Sequence, residues 1–145
     1  MIGETLHLNR LVKRYDETLA VDDLNLTVNA GEFVSVLGPS GSGKTSILSM
    51  VAGFERPSSG EILIGSRNVT QLAPNDRDIG MVFQKYALFP HLTVRQNIAF
   101  PLKLKKRWKE RWRSRADEML ELVQLASFAD RLPAQLSGGQ QQRVA

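Results

Sequence analysis

Apolar and polar positions alternate along much of the first half of the chain. Residues 6–11 and 24–28 place leucine or valine at every second or third position, which predicts two strands with one buried face. Residues 33–37 (FVSVL) are mostly apolar and β-branched, which predicts a strand buried within a sheet. Two further strands are predicted over residues 61–65 and 79–83.

Helical spacing replaces this alternation at two places. Residues 43–52 put their apolar side chains on one face just before Gly53, which predicts a short helix that stops at a glycine. Turn residues predict chain reversals at 29–32 and 57–60. Further along, apolar residues recur at helical spacing and predict a longer helix; they are Trp108, Trp112, Ala116, Met119, Leu122 and Val123.

The composition is that of a soluble folded domain. Of the 145 residues, 42% are hydrophobic and 23% are charged. No stretch approaches the ~18 consecutive apolar residues of a membrane-spanning helix, and we expect no signal peptide at the start. The chain has no cysteine, which excludes disulfides, thiolate zinc sites and a cysteine nucleophile within these residues.

The positive charge is concentrated in one segment. Residues 103–115 carry eight basic residues and one acid within a net charge of +4, so the rest of the chain sums to −3. With two tryptophans, this segment could bind nucleic acid by backbone contacts and base stacking. We favour a solvated helix face over nucleic-acid binding, because both tryptophans lie on the apolar stripe. Contact with a membrane subunit or anionic lipid is a minor third alternative.

The strongest chemical signal is the pattern G-x-x-x-x-G-K-[ST], which stands between a predicted strand and a predicted helix. Glycines let successive backbone N–H groups converge on an anion, and the helix start adds its positive dipole end. Lys44 would contact the β- and γ-phosphates, and the Thr45 hydroxyl can ligate magnesium. We favour phosphate binding over a plain Gly/Ser-rich loop. The eight residues are Gly38, Pro39, Ser40, Gly41, Ser42, Gly43, Lys44 and Thr45.

A second glycine motif lies near residue 140. A serine hydroxyl and two glycine amides precede a predicted helix there, which resembles another anion site. The alternative is an ordinary helix cap at Ser137, although a cap does not need two glycines. The motif consists of Leu136, Ser137, Gly138, Gly139 and Gln140.

Both motifs in this order resemble the nucleotide-binding domain of ATP-binding cassette (ABC) proteins, whose Walker A loop and LSGGQ signature they match. The resemblance covers the whole chain. It implies an α/β fold, with a partial P-loop NTPase core, a small antiparallel β subdomain and an inserted helical subdomain. On this basis residues 1–145 are the N-terminal part of one domain. Residues 1–90 would form the β-rich part with the P-loop, 91–136 the helical subdomain, and 136–145 the signature with the start of the following helix.

The resemblance also implies roles for individual residues. Tyr15 would stack on adenine, Ser46 would add a phosphate contact, and Gln84 would match the Q-loop glutamine that touches magnesium and the attacking water. The cofactors would be ATP and Mg²⁺. In the family, two cassettes pair head to tail, so the signature Ser137, Gly138 and Gly139 would contact ATP bound to the partner.

The implied function is an ATPase subunit that drives solute import. Residues 80–102 are similar to cassettes of polyamine, ferric iron or sulfate importers, with the polyamine type most similar. The implied partners are a second cassette, transmembrane permease subunits and, indirectly, a solute-binding protein, which places the chain at the cytoplasmic face of the membrane. Two alternatives stay open: a soluble ABC ATPase acting on nucleic acid or ribosomes, and a non-catalytic decayed fragment.

The family's Walker B segment and switch histidine are absent from these 145 residues. Asp22 and Asp23 precede the P-loop and do not substitute for the Asp-Glu pair of Walker B. The chain therefore lacks the general-base glutamate, and we expect it to bind ATP without hydrolysing it alone. We also expect residues 33–37 to lack strand neighbours, which would make the chain unstable or prone to aggregation.

Overall fold

A computed structural model describes residues 3–84, 86–104 and 111–145. The chain divides into two compact units, residues 1–81 and 82–145, which are described one at a time. The three-part domain division at residues 90 and 136 remains a prediction.

The first unit is built on a small antiparallel sheet. Its strands are β1 (Leu6–Tyr15), β2 (Thr18–Val28), β3 (Ser59–Ile64) and β4 (Arg67–Asn68), in the spatial order β2-β1-β3-β4. The strands predicted over residues 6–11, 24–28 and 61–65 are therefore confirmed, and β3 begins two residues earlier than predicted. Each neighbouring pair in this sheet is antiparallel.

Helix α1 (Lys44–Ala52) supplies the other half of this unit's core. It ends where predicted, because Gly53 adopts a left-handed conformation with φ of 83° and its N–H donates to the Met50 carbonyl. Met50 is fully buried against side chains from the sheet. The core consists of Leu8, Leu11, Val21, Met50, Ile62 and Val69.

A buried arginine ties the end of α1 to the chain that follows β4. Arg77 is only 4% exposed, and its guanidinium donates to the Met50 and Val51 carbonyls at 2.7 and 2.9 Å. The same group donates to the carbonyls of Leu72 and Thr70 at 3.0 and 3.1 Å. Burial lowers the pKa of Arg77. The guanidinium thus satisfies carbonyls that the end of a helix otherwise leaves without partners.

Two of the strand predictions are wrong. Residues 33–37 and 79–83 form no strand, and all of their apolar side chains except Met81 are exposed, with Phe33 at 93% and Leu37 at 88%. The turn at 29–32 exists, closed by the Glu32 N–H on the Asn29 carbonyl, but no hairpin follows it. A strand needs a neighbouring backbone, and within the described residues none pairs with 33–37. Instability of the chain remains a prediction.

The second unit is helical, as predicted for the region after residue 90. It contains α2 (Val94–Leu104), α3 (Trp112–Leu122) and α4 (Gly138–Val144), together with short 3₁₀ turns at Ala126–Phe128 and Pro133–Gln135. Its core is formed by Val94, Leu120, Leu125, Ala129 and Leu136.

The apolar stripe predicted for the long helix is partly wrong. Ala116 is buried as expected, but Leu122 is 74% exposed and Leu120 takes the buried position instead. Leu120 lies four residues after Ala116, so the two share one helix face. Trp112 is covered by the Lys103 ammonium, 4.2 Å from its ring centre. The predicted position of Trp108 lies outside the described residues.

Asn97 fixes the segment that leads into α2. Its side-chain oxygen accepts from the Phe89 N–H at 2.8 Å. Its amide donates to the carbonyls of Phe89, Leu92 and Thr93 at 3.0–3.2 Å. The irregular segment from 89 to 93 is thereby hydrogen-bonded to a single residue of the helix.

Across the described ranges, none of the helices has the length and apolar character needed to cross a bilayer.

Candidate functional site

The start of α1 forms one wall of a cleft in the first unit. The cleft has a volume of about 510 Å³. Its lining joins the predicted phosphate loop to the end of β1, so the structure brings Tyr15 and Ser46 together with that loop. The lining residues are Tyr15, Ala20, Ser40, Gly41, Ser42, Gly43, Lys44, Thr45 and Ser46.

Glycine at position 43 is required by the local backbone. Gly43 precedes α1 with a φ of 82°, a conformation that side-chain-bearing residues rarely adopt. A Cβ atom there would overlap the carbonyl oxygen of Ala20 on β2. No side chain caps the helix at this residue. The first N–H groups of α1 are therefore available to an anion, and the helix dipole favours negative charge at the same point.

Lys44 places its ammonium over the loop. The Nζ atom donates to the carbonyls of Gly38 and Pro39 at 2.9 and 2.5 Å, and to the Ser42 hydroxyl at 3.1 Å. The positive charge and the converging N–H groups lie on the same short segment, which suits a ligand with several negative charges.

Magnesium fits this site through the phosphates. Among the described residues, no group of three or more His, Cys, Asp or Glu side chains could hold a metal alone. Thr45 lies in the cleft with an exposed side chain, and its hydroxyl oxygen is a ligand type that magnesium accepts. Magnesium usually takes one or two protein oxygens, with the remaining ligands from phosphates and water. The Thr45 hydroxyl therefore suits a magnesium ion whose other ligands are phosphate oxygens and water.

Tyr15 is held by a polar cluster at the edge of the cleft. Its hydroxyl donates to the Glu55 carboxylate and lies 3.1 Å from the Ser46 hydroxyl. The Lys13 ammonium lies 4.7 Å from the centre of the Tyr15 ring and 3.5 Å from the Glu55 carboxylate. The hydrogen bond to Glu55 raises the pKa of Tyr15. Sequence reasoning missed Glu55 and Lys13, since neither belongs to a motif.

The second glycine motif forms the start of α4. Ser137 caps the helix: its hydroxyl accepts from the Gln140 N–H at 3.3 Å, and the Gln140 side chain accepts from the Ser137 N–H at 2.8 Å. The expectation that both glycines precede the helix is wrong, because Gly138 and Gly139 form its first turn. Leu136 is buried in the core of the second unit.

Gln84 also lies in the second unit. Its side chain is exposed, and it lines a groove of about 630 Å³ with residues 86–88, Pro90, Pro133, Ala134 and Gln141. The groove and the signature adjoin each other, since a Cβ on Gly138 would lie 3.8 Å from the Tyr86 hydroxyl. The strand predicted to end just before Gln84 is absent.

Curated relatives cover nearly the whole chain. It is 52% identical over 140 residues to the spermidine/putrescine import ATP-binding protein PotA of Chromobacterium violaceum, with 97% of this chain and 39% of the relative aligned. It is 53% identical to the sulfate/thiosulfate import ATP-binding protein CysA of Synechococcus elongatus, with 97% and 41% aligned. The chain thus spans about two fifths of the length of these relatives.

Solved structures show the same fold. A dimeric ATP-binding cassette, MJ0796, bound to ADP and Pi in a post-hydrolysis state, aligns with a TM-score of 0.86 and 38% identity over 96% of this chain and 66% of that one. The predicted α/β class, with a small antiparallel sheet and a helical part, is confirmed. Residues 21–145 match the family described as ABC transporter. The resemblance drawn from the two glycine motifs is therefore confirmed, and the chain belongs to the ABC transporter family.

Proposed function

We propose that the chain binds ATP with Mg²⁺ in the cleft at the start of α1. The observation that carries this proposal is the uncapped helix start beside the Lys44 ammonium, with the Thr45 hydroxyl in the same cleft. Backbone N–H groups of the loop and Lys44 would hold the β- and γ-phosphates. Thr45 would ligate the magnesium ion, and this ion would neutralise part of the negative charge of the phosphates.

The base of the nucleotide would stack on Tyr15. This residue is 40% exposed at the edge of the cleft, so part of its side chain is accessible to a ligand there. Ser46 lies one position after Thr45 in α1 and would add a hydroxyl to the phosphate contacts. These are the residue roles implied by the family resemblance, and the shared cleft supports them.

Hydrolysis and transport belong to the whole protein in this proposal. Two cassettes would pair head to tail, with Ser137, Gly138 and Gly139 of one copy contacting ATP on the other. The dimeric cassette structure bound to ADP and Pi supports this arrangement. Gln84 would link nucleotide, magnesium and permease subunits, and closure around ATP would move those subunits at the cytoplasmic face of the membrane.

The proposed cargo is a small solute taken up by the cell, a polyamine or an oxyanion such as sulfate. The relatives named above support both: PotA proteins are named for spermidine and putrescine import, and CysA for sulfate and thiosulfate import. A solute-binding protein would deliver the solute to the permease. The cassette would supply the energy without touching the solute.

ATP binding is tested by calorimetric titration of the protein with Mg·ATP. Lys44→Met should weaken binding by at least about tenfold, because a charged contact to phosphate contributes roughly 1.5–3 kcal/mol. Lys103→Met removes a lysine of α2 in the other unit and should leave the affinity unchanged. Equal affinity in wild type and Lys44→Met would contradict the proposed site.

A further inference from the structure

Glu55 follows the C-terminal end of α1 and contacts Tyr15 at the edge of the nucleotide cleft. It follows the helix by three residues, and its carboxylate accepts a hydrogen bond from the Tyr15 hydroxyl. The Ser46 hydroxyl lies 3.1 Å from the same phenol oxygen. A phenol has a single proton, which goes to the carboxylate, so the Ser46 hydroxyl is left to donate to the phenol oxygen. The three side chains form a directed chain of hydrogen bonds.

Lys13 supports the same ring from one face. Its ammonium lies 4.7 Å from the ring centre, 3.5 Å from the Glu55 carboxylate and 2.9 Å from the Arg56 carbonyl oxygen that it donates to. Three contacts of this kind fix the ammonium, which in turn occupies one face of the Tyr15 ring. A planar ligand would therefore use the opposite face.

We propose that Glu55 and Lys13 are positioning residues that hold the Tyr15 ring in the orientation needed to stack on the nucleotide base. This inference rests on the proposed function, because it concerns the same cleft. An exposed tyrosine side chain loses rotational freedom when a ligand orders it, and a ring already fixed by its neighbours avoids that loss.

The chain of hydrogen bonds also links the two ends of the nucleotide site. Tyr15 lies at the predicted base contact and Ser46 at the predicted phosphate contact, and their hydroxyls are bonded. Because the Ser46 proton goes to Tyr15 in this chain, Ser46 would donate to a phosphate only after releasing Tyr15, and Glu55 acts directly on the Tyr15 ring. Its effect should be larger on a ligand that has a base than on one that has phosphates only.

The test compares ATP with inorganic tripolyphosphate, which has the phosphates but no base. Glu55→Ala should weaken ATP binding by about three- to tenfold, the equivalent of one hydrogen bond, and should leave tripolyphosphate binding within about twofold. Glu55→Gln should restore most of the ATP affinity, because its amide oxygen can still accept from Tyr15. Glu61→Ala on β3, a glutamate outside the cleft, is the matched control and should bind both ligands like wild type.

A second measurement keeps the proposal falsifiable if Glu55→Ala folds poorly. In a double-mutant cycle, the effects of Glu55→Met and Tyr15→Phe on ATP affinity should not add, because methionine keeps the side-chain length without a carboxylate acceptor and Phe has no hydroxyl for residue 55 to orient. Unchanged ATP affinity in Glu55→Ala, or equal losses for ATP and tripolyphosphate, would overturn the positioning role. Failure of the wild-type protein to bind either ligand would instead overturn the proposed function.

Discussion

The two glycine motifs begin helices in opposite ways. At α1 the residue before the helix is Gly43, and no side chain occupies the first N–H groups. At α4 the corresponding residue is Ser137, whose hydroxyl and partner Gln140 form a reciprocal capping box. The difference supports the proposal that α1 offers its N–H groups to a nucleotide bound by the same chain, whereas the first turn of α4 is already capped by its own side chains.

The largest expected effect is a difference in folding stability between alanine substitutions at glycines of the two motifs. Gly43→Ala should cost about 3 kcal/mol of folding free energy and disrupt the cleft, because alanine is strained at a φ of 82° and meets the Ala20 carbonyl. Gly139→Ala has open space and a helical position, so it should be neutral or slightly stabilising. Urea unfolding of both variants measures this, and equal losses of stability would contradict the difference between the two helix starts.

A smaller effect is expected at the other end of α1. Arg77→Met should lower the free energy of unfolding by about 2 kcal/mol, because four carbonyl oxygens lose their buried donor. The matched control is Arg67→Met, since the Arg67 guanidinium makes a single exposed contact to the Asp76 carbonyl at 3.1 Å. Thermal unfolding followed by circular dichroism compares the two, and a control as unstable as Arg77→Met would argue against the stabilising role of the Arg77 hydrogen bonds.

Removing the cap of α4 should have a moderate effect on stability and none on nucleotide binding in cis. Ser137→Ala should cost about 1 kcal/mol, as expected for loss of a serine cap, and a monomer should bind ATP with unchanged affinity. Ser127→Ala, an exposed serine of the turn Ala126–Phe128, serves as control. If Ser137→Ala weakened ATP binding in a monomer, the proposed trans role of the signature would be wrong.

The smallest expected effect is a loss of stability at high pH, which depends on the hydrogen bond between Tyr15 and Glu55. The pKa of Tyr15 is raised above its ordinary value of 10.0 by the bond to Glu55. The stability from this bond is therefore fully present below about pH 10 and falls as pH rises through the folded-state pKa, because the unfolded chain loses its phenol proton first. Tyrosinate absorbance in a Tyr86→Phe background reports Tyr15 alone, and Glu55→Ala should lower the observed pKa.

Much of the site could be predicted because its residues are adjacent in sequence. The phosphate loop, the helix that follows it and the glycine that ends it all lie within residues 38–53 and depend on local backbone preferences. Strands 33–37 and 79–83 were predicted wrongly for the converse reason. Apolar, β-branched residues favour a strand, but a strand also needs a partner backbone, which local pattern cannot supply.

The supporting residues of the site were missed because their partners are distant in sequence. Glu55 contacts a tyrosine 40 residues earlier, and Arg77 donates to a carbonyl 27 residues earlier. A glutamate after a helix and an arginine after a proline turn are ordinary in composition. The fold brings Glu55 to Tyr15 at the end of β1 and brings Arg77 to the end of α1, which local sequence cannot show.

The amide of Asn97 has a consequence for how the second unit moves. It makes bonds in both directions to Phe89 and two further bonds to Leu92 and Thr93, so the chain from 89 to 93 is fastened to the first turn of α2. Opening this segment requires all four bonds to break together. Its backbone amides should therefore exchange with solvent deuterium as one cooperative group, at the rate of the start of α2 rather than that of a surface loop.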